Sequence, residues 1–385
     1  MTMTRRGLAV LTALLTSGFC ALSLGGSLYY YAAILLLVVL LYSGISCLWA
    51  WRTAECRQHL NTPVVKRGET AHLSLKARHA CPLPIAPLTG DFAYGGQQMD
   101  CIFGAAPFQD MEKRMPLTAR HVGLYQVLMT QLLVQDIFGL FQMKKTPTVN
   151  GSSLMVLPRP FDIEKPRITL GDDGSAALSR TQEDYNAPED VRTYQPGDAM
   201  KRIHWKLSSR KRELLVRRFE TPAPPDTLIL LDCDTPRGGD VVPEGKENLR
   251  DALCETAVAV ANLQMEDGSP VRLPIYGDRA NEFSSDHKAS LALLQEMLAC
   301  QPFGRGEDFA RVLNLELRRM RRTGATIVVT TRLDAEIVDG VSRIRRMGPS
   351  ARLYLVTYTP DSPDYLPFVT RLQHHLVEVC YVTPA

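Results

Sequence analysis

The chain carries almost no net charge for its size, pairs none of its cysteines in sequence and lacks the short motifs of nucleotide or zinc-protease chemistry. Its 44 Lys and Arg stand against 41 Asp and Glu, a formal net charge of +3, so attraction for anions has to be local rather than molecular. No Gly-x-x-x-x-Gly-Lys-Ser/Thr loop, no Gly-x-Gly-x-x-Gly after a strand and no His-Glu-x-x-His occurs, which argues against nucleotide hydrolysis by the chain itself. Cysteines stand at Cys20, Cys47, Cys56, Cys81, Cys101, Cys233, Cys254, Cys300 and Cys380 with no Cys-x-x-Cys pair. That dispersion indicates neither a zinc site nor a disulfide framework, and fits reduced, mostly buried thiols in the cytosol. No nucleic-acid reading motif is present, and nucleic acid is not an expected partner.

What is present begins with two apolar runs. Leu8 to Leu24 and Leu28 to Trp51 contain no charged residue, and each is long enough to cross a hydrocarbon core of about 30 Å as a helix. Only Gly25, Gly26 and Ser27 separate them, so they read as a tight hairpin in the lipid bilayer, with Tyr29, Tyr30, Tyr31, Trp49 and Trp51 at the interfaces. Arg5 and Arg6 precede the first run, while Arg52 and Arg57 follow the second. The positive-inside rule then puts both termini and the soluble remainder on the cytoplasmic side of the inner membrane. A cleaved signal peptide ending near Ser23 to Ser27 is the competing reading, and the abutting second run argues against it.

With 385 residues, 45% hydrophobic and 22% charged, the chain has room for two or three domains with buried cores. The expected order is a transmembrane hairpin over 1–58, a β-rich domain over 59–160, a linker and basic segment over 161–225, and an α/β domain over 226–385. Alternation in Ala71-His72-Leu73-Ser74-Leu75-Lys76-Ala77 and many turn residues predict a small β-sandwich. From Thr227 onward strands alternate with helices. Thr227–Asp232, Val271–Tyr276, Ala325–Thr331, Arg352–Tyr358 and Leu376–Val382 read as strands; 248–265, 291–300, 308–322 and 337–347 read as helices. That is the pattern of a doubly wound sheet, whose ligands bind beyond the carboxyl ends of strands, near Asp232, Asp234 and Thr330 to Asp334.

The densest text is Asp190 to Arg217. Pro196, Gly197 and Asp198 mark a turn, and Arg202, Lys206, Arg210, Lys211, Arg212, Arg217 and Arg218 follow with Glu213 as the only acid among them. Arg192, Tyr194, Pro196-Gly197-Asp198, Arg202-Ile203-His204-Trp205-Lys206, Ser208, Arg210, Leu214 and Val216 resemble the signature of a bacterial family, the domain of unknown function 58. His121 to Val127 and the turn Gln135 to Phe141 are similar to that family in the same order. The resemblance implies a membrane-tethered protein with a divergent von Willebrand factor A-like domain, a MoxR-type AAA+ ATPase as partner, and no established reaction.

On that reading the partner- or anion-binding residues are Arg192, Tyr194, Gly197, Asp198, Arg202, His204, Trp205, Lys206 and Arg210. No catalytic residue is assigned. His204 invites a catalytic reading, but no nucleophile or acid is tied to it by spacing; Trp205 is expected to lie over the arginine guanidinium groups as a cation-π packing element. Leu231 to Pro236 falls where the implied fold carries an Asp-x-Ser-x-Ser metal motif, and Asp232 alone matches. Asp232 and Asp234 therefore read as a degenerate site that caps its loop, with no cofactor expected and a divalent cation as the exception. Asp136 reads as a turn residue. The second basic group, Arg311, Arg318, Arg319, Arg321, Arg322, Arg343, Arg345 and Arg346, reads as solvated helix face. The resulting expectation is a non-enzymatic docking protein. Its alternatives are a metal-assisted hydrolase using Asp232, Asp234 and His204, or a module for anionic ligands.

Overall fold

The computed structural model describes residues 2–146, 151–163, 188–195, 200, 203–219, 225–234, 243–276, 280–304, 308–320 and 323–384. The chain divides into two compact units, Met1–Pro158 with Leu298–Cys300, and Arg159–Met297 with Gln301–Ala385.

In the first unit a short strand β1 (Thr2–Met3) leads into helices α1 (Arg5–Leu24) and α2 (Ser27–Thr53). Thr4 caps α1, its hydroxyl accepting from the Gly7 amide at 3.2 Å, and Gly25 ends it at φ 69°, a left-handed conformation that a Cβ would strain. Both helices are long and apolar enough to cross a membrane. Among the described residues nine strands follow: β2 (Glu55–Leu60), β3 (Val64–Lys66), β4 (Thr70–Arg78), β5 (Thr89–Tyr94), β6 (Gln97–Ile102), β7 (Met111–Thr118), β8 (Gly123–Gln135), β9 (Phe141–Lys145) and β10 (Ser152–Leu157).

These strands form a seven-stranded sheet in the order β1-β9-β8-β10-β3, with β5 also on β8 and β6 on β5, and a three-stranded sheet β2-β4-β7. The strand expected over 71–77 is β4, and its Ala71, Leu73, Leu75 and Ala77 are all buried. They share one core with Leu117 of β7 and with Phe92, Met129, Leu132 and Leu154 of the larger sheet. Each such leucine contributes about 1.5–3 kcal/mol by leaving water. The β5–β6 hairpin turns on Gly95 and Gly96, both at positive φ (54° and 81°), the two-residue geometry that matches strand twist.

The last turns of helix α2, still within the apolar stretch, join this core. Its Ser43, Ser46, Cys47 and Ala50 are buried, Ala50 and Ala54 lie in the shared cluster, and Trp51 Nε1 donates to the Lys144 carbonyl at 3.1 Å. Trp51, expected at a membrane interface, instead ties the helix to β9, with Lys145 Nζ 6.0 Å from its ring centroid. Periodicity could not foresee this, because a helix facing lipid and a helix facing a β-sheet core carry the same residue types.

The second unit holds a two-stranded ribbon, β11 (Pro188–Thr193) with β12 (Leu215–Phe219), and helix α3 (Trp205–Lys211) between them in sequence. Beyond it come β13 (Asp226–Leu231), α4 (Pro243–Glu266), β14 (Val271–Tyr276), β15 (Ala280–Ser285), α5 (Leu291–Ala299), α6 (Phe309–Arg319), β16 (Thr323–Thr330), α7 (Ala335–Arg346), β17 (Ser350–Val356), α8 (Leu366–His374) and β18 (Glu378–Val382). Strands β15-β14-β13-β16-β17-β18 form one sheet; all its pairings are parallel except that of the edge strand β15. The sequence reading missed β15 and α8: β15 is short and carries few apolar residues, and α8 spans only Leu366–His374.

Leu228, Leu230, Val328, Leu353 and Leu355 pack on one face with α6, α7 and α8, while α4 packs on the sheet through β13, β14, β16 and β17. Burial on both faces explains the unbroken apolar run Leu228 to Leu231. The strand order reverses between β13 and β16, which opens a crevice at their carboxyl ends.

Candidate functional site

Two places in the second unit carry the residues singled out by sequence. The first is the basic segment. Tyr194 N donates to the Leu214 carbonyl and His204 N to the Leu215 carbonyl, both at 2.8 Å, and Ile203 bridges Val216. Ser208 clamps the return: its buried hydroxyl accepts from Leu215 N at 2.9 Å. Replacing Ser208 with alanine leaves that amide buried and unmatched, so we expect about 1–3 kcal/mol of lost stability, read as faster hydrogen exchange at Leu215.

His204 caps α3, its Nδ1 accepting from Leu207 N at 3.2 Å, and Arg212 closes the helix at φ 56°. Trp205 is 62% exposed, and no cation-π contact over its ring is seen among the described residues, in place of the packing element expected. Lys206, Arg210, Lys211 and Arg212 are exposed as well, and none is ion-paired among the described residues. Arg192 is exposed on β11, its Nη1 donating to the Thr193 carbonyl at 3.3 Å. Of the remaining candidates, Gly197, Asp198 and Arg202 lie outside the described residues.

The second place is the crevice at the end of β13. Asp232 is 1% exposed. Its Oδ2 accepts from the Thr330 hydroxyl at 2.7 Å and its Oδ1 from the Asp234 amide at 3.1 Å. Arg332 lies across the carboxylates, Nε 3.3 Å from Asp232 Oδ2 and Nη2 3.3 Å from Asp308 Oδ1, and it also pairs with Asp234. Burial pulls the Asp232 carboxyl above its ordinary range, while Thr330 and Arg332 act against that rise. The Cys233 thiol is pushed up to about 12, by burial first and by the flanking carboxylates second, which keeps it protonated and unreactive.

Residues 190–372 match the model of the family described as "Protein of unknown function DUF58". The match supports the resemblance carried by Arg192 to Val216, and it takes in the ribbon, the crevice and the sheet as far as α8. No curated protein matches the chain. Among solved structures, the CARDB domain of a Pyrococcus furiosus protein in complex with di-metal ions is similar over 27% of this chain and 91% of its own, at 10% identity and a TM-score of 0.22. An alkylpurine DNA glycosylase from Pseudomonas fluorescens is similar over 35% and 41%, at 17% identity and a TM-score of 0.19. The seventh ScaB type I cohesin from Pseudobacteroides cellulosolvens is similar over 29% and 99%, at 7% identity and a TM-score of 0.19. Likenesses of this size carry no argument about activity.

Within the DUF58 match, the cation among the crevice carboxylates is one of the chain's own guanidinium groups. Oxygens that a divalent ion would need are engaged by Arg332, and no group of three or more His, Cys, Asp or Glu side chains is placed to hold a metal among the described residues. The segment carrying Pro236, Gly306 and Glu307 lies outside the described residues. Sequence reasoning placed Thr330 to Asp334 at the crevice but assigned Arg332 no role; its signal was an arginine set two residues beyond a buried parallel strand. It also missed Glu316, which is fully buried on α6 and pairs with Arg272 and Arg319, both at 2.8 Å.

Proposed function

We propose that the chain is a membrane-anchored, non-enzymatic docking protein, with a β-sandwich near the anchor and a von Willebrand A-like domain that a MoxR-type AAA+ ATPase engages. The observation that carries this reading is α3, where exposed Trp205 stands beside Lys206, Arg210, Lys211 and Arg212 with no carboxylate partner among the described residues. An aromatic side chain flanked by unpaired cations suits the acidic surface of a protein partner: the ring supplies buried area and the charges supply steering. The strand order β15-β14-β13-β16-β17-β18 with one antiparallel edge supports the A-like assignment. Arg332 gives the crevice a fixed internal cation, which favours docking over metal-assisted hydrolysis by Asp232, Asp234 and His204. Arg5, Arg6, Arg52 and Arg57 favour an inner-membrane location with the soluble units in the cytoplasm.

The test is co-purification of the detergent-solubilised full chain with the ATPase, with and without nucleotide. We expect recovery of a complex that weakens with salt, since charge contacts at the surface are screened beyond about 10 Å at 0.1 M. The combined substitution Lys206→Glu, Arg210→Glu and Lys211→Glu should abolish it. Absence of the ATPase in both nucleotide states would refute the partnership.

A further inference from the structure

We propose that the turn between β8 and β9, Asp136 to Leu140, is an interfacial wedge that enters the headgroup region of a lipid bilayer beside the helical hairpin. The proposal rests on the anchoring reading and extends it to a part of the β-rich unit outside the two long apolar runs.

Three observations converge on this turn. Ile137 and Phe138 are 51% and 49% exposed, two large apolar side chains only half covered at a loop tip. Phe138 meets Tyr42 of α2 edge-on, with ring centroids 6.2 Å apart, so the tip is level with Tyr42. Just beyond Tyr42, one face of helix α2 turns to protein, beginning at the buried Ser43, while Ile45, Leu48 and Trp49 stay exposed on the other. The rise from Ser27 to Tyr42 is about 24 Å, so the tip stands toward the far side of a hydrocarbon core of about 30 Å that begins at Ser27. Ile137 and Phe138 widen the exposed apolar surface of the helix at that depth.

The backbone of the turn is prepared for a low-dielectric place. Asp136, itself buried, accepts from Phe138 N at 3.0 Å and from Phe141 N at 2.6 Å, and Gly139 N donates to the Asp136 carbonyl at 3.0 Å. The Gly139 carbonyl accepts from the Thr4 hydroxyl at 2.6 Å and the Leu140 carbonyl from Thr4 N at 2.9 Å. Unpaired backbone groups are costly away from water, and these are paired. Gly7 lets α1 lie against the turn, since a Cβ there would come within 2.4 Å of the Leu140 carbonyl oxygen. Arg5 and Arg6 are exposed at the same end of α1, where cations meet anionic headgroups. Aromatic and aliphatic tips beside basic residues make an interfacial anchor.

The experiment uses the full chain in vesicles of phosphatidylcholine and phosphatidylglycerol. The four thiols that are not buried, Cys20, Cys233, Cys300 and Cys380, are first replaced by alanine or serine. An environment-sensitive fluorophore is then attached at Phe138→Cys, at Val38→Cys on the exposed face of α2, or at Asp110→Cys. Asp110 pairs with Arg78, and two residues beyond Arg78 the Ala80 N–H donates to the Thr53 hydroxyl at the far end of α2, about 16 Å along the helix from Tyr42. Spin-labelled lipids should quench the probe at 138 when the label sits near the headgroups, severalfold more than the probe at 110. Labels near the acyl-chain ends should quench the probe at 38. If the probe at 38 is quenched and the probe at 138 behaves like that at 110, the wedge is overturned and the anchor stands. If the probe at 38 is not quenched, the anchoring reading fails and the wedge fails with it.

Discussion

Replacing Arg332 with alanine is expected to cost the second unit about 3–5 kcal/mol, the penalty for removing one partner of a buried ion pair. Asp232 and Asp234, with side chains 2% and 17% exposed, would be left as two neighbouring carboxylates without a cation. The loss should be read locally, from hydrogen exchange of β13 and β16, because a chain of two compact units need not unfold in one step. Its pH dependence follows from the sign of the Asp232 shift. A carboxyl raised in the fold binds its proton more tightly there than in the unfolded chain, so stability is lost as pH rises through the folded pKa and recovered below it. Removing Arg332 takes away a group that opposes the rise. The gap between variant and parent should therefore narrow as pH falls from neutrality toward 5, roughly one unit above an ordinary Asp pKa of about 3.9. Adding Asp232→Asn to Arg332→Met should restore part of the loss, as substitutions within one network do not add. An Arg332→Ala chain with unchanged protection of β13 and β16 would show that the guanidinium does not hold the crevice.

That crevice shows where sequence reading stops. The chain order of strands and helices from Asp226 onward was legible because parallel strands buried on both faces leave continuous apolar runs such as Leu228 to Leu231, and those runs placed Asp232 and Thr330 at strand ends. The identity of the cation was not legible. Arg332 lies 100 residues from Asp232 in sequence, and only the pairing of β13 with β16 brings them together. Trp205 failed for the opposite reason. Tryptophan beside arginines reads as packing because most large aromatics are buried, and its 62% exposure is a property of where α3 leaves the β11–β12 ribbon. In the hairpin, composition predicted two spanning helices but could not say that residues 43 to 54 face a β core.

The basic helix face read as solvated shows a further limit, and yields the other large expected effect. Arg318 and Arg319 end α6, yet Glu316 between the basic positions is fully buried. It accepts from the Tyr276 hydroxyl and pairs with Arg319 and Arg272, both at 2.8 Å. Arg272 also reaches Asp226 and Glu282 at 3.2 Å each, so one carboxylate ties α6 to β14 and, through Arg272, to β13 and the edge strand β15. Glu316→Ala should cost toward the lower end of about 3–5 kcal/mol, because Arg272 keeps two carboxylates after the change while the Tyr276 hydroxyl loses its acceptor. Glu316→Gln should cost less, since an amide oxygen still accepts from Tyr276. Glu282 gives the network its acid sensitivity. Burial raises its carboxyl, but hydrogen bonds from Arg272 and Arg319 outweigh that and hold it below the ordinary range. Its contribution is therefore present above an unfolded Glu pKa of about 4.3 and lost as pH falls through the lower folded value. Glu282→Gln should flatten the acid limb of β15 protection while leaving the neutral region little changed. Edge-strand protection that responds to neither Glu316→Ala nor Glu282→Gln would mean that β15 is held by its backbone ladder to β14 alone.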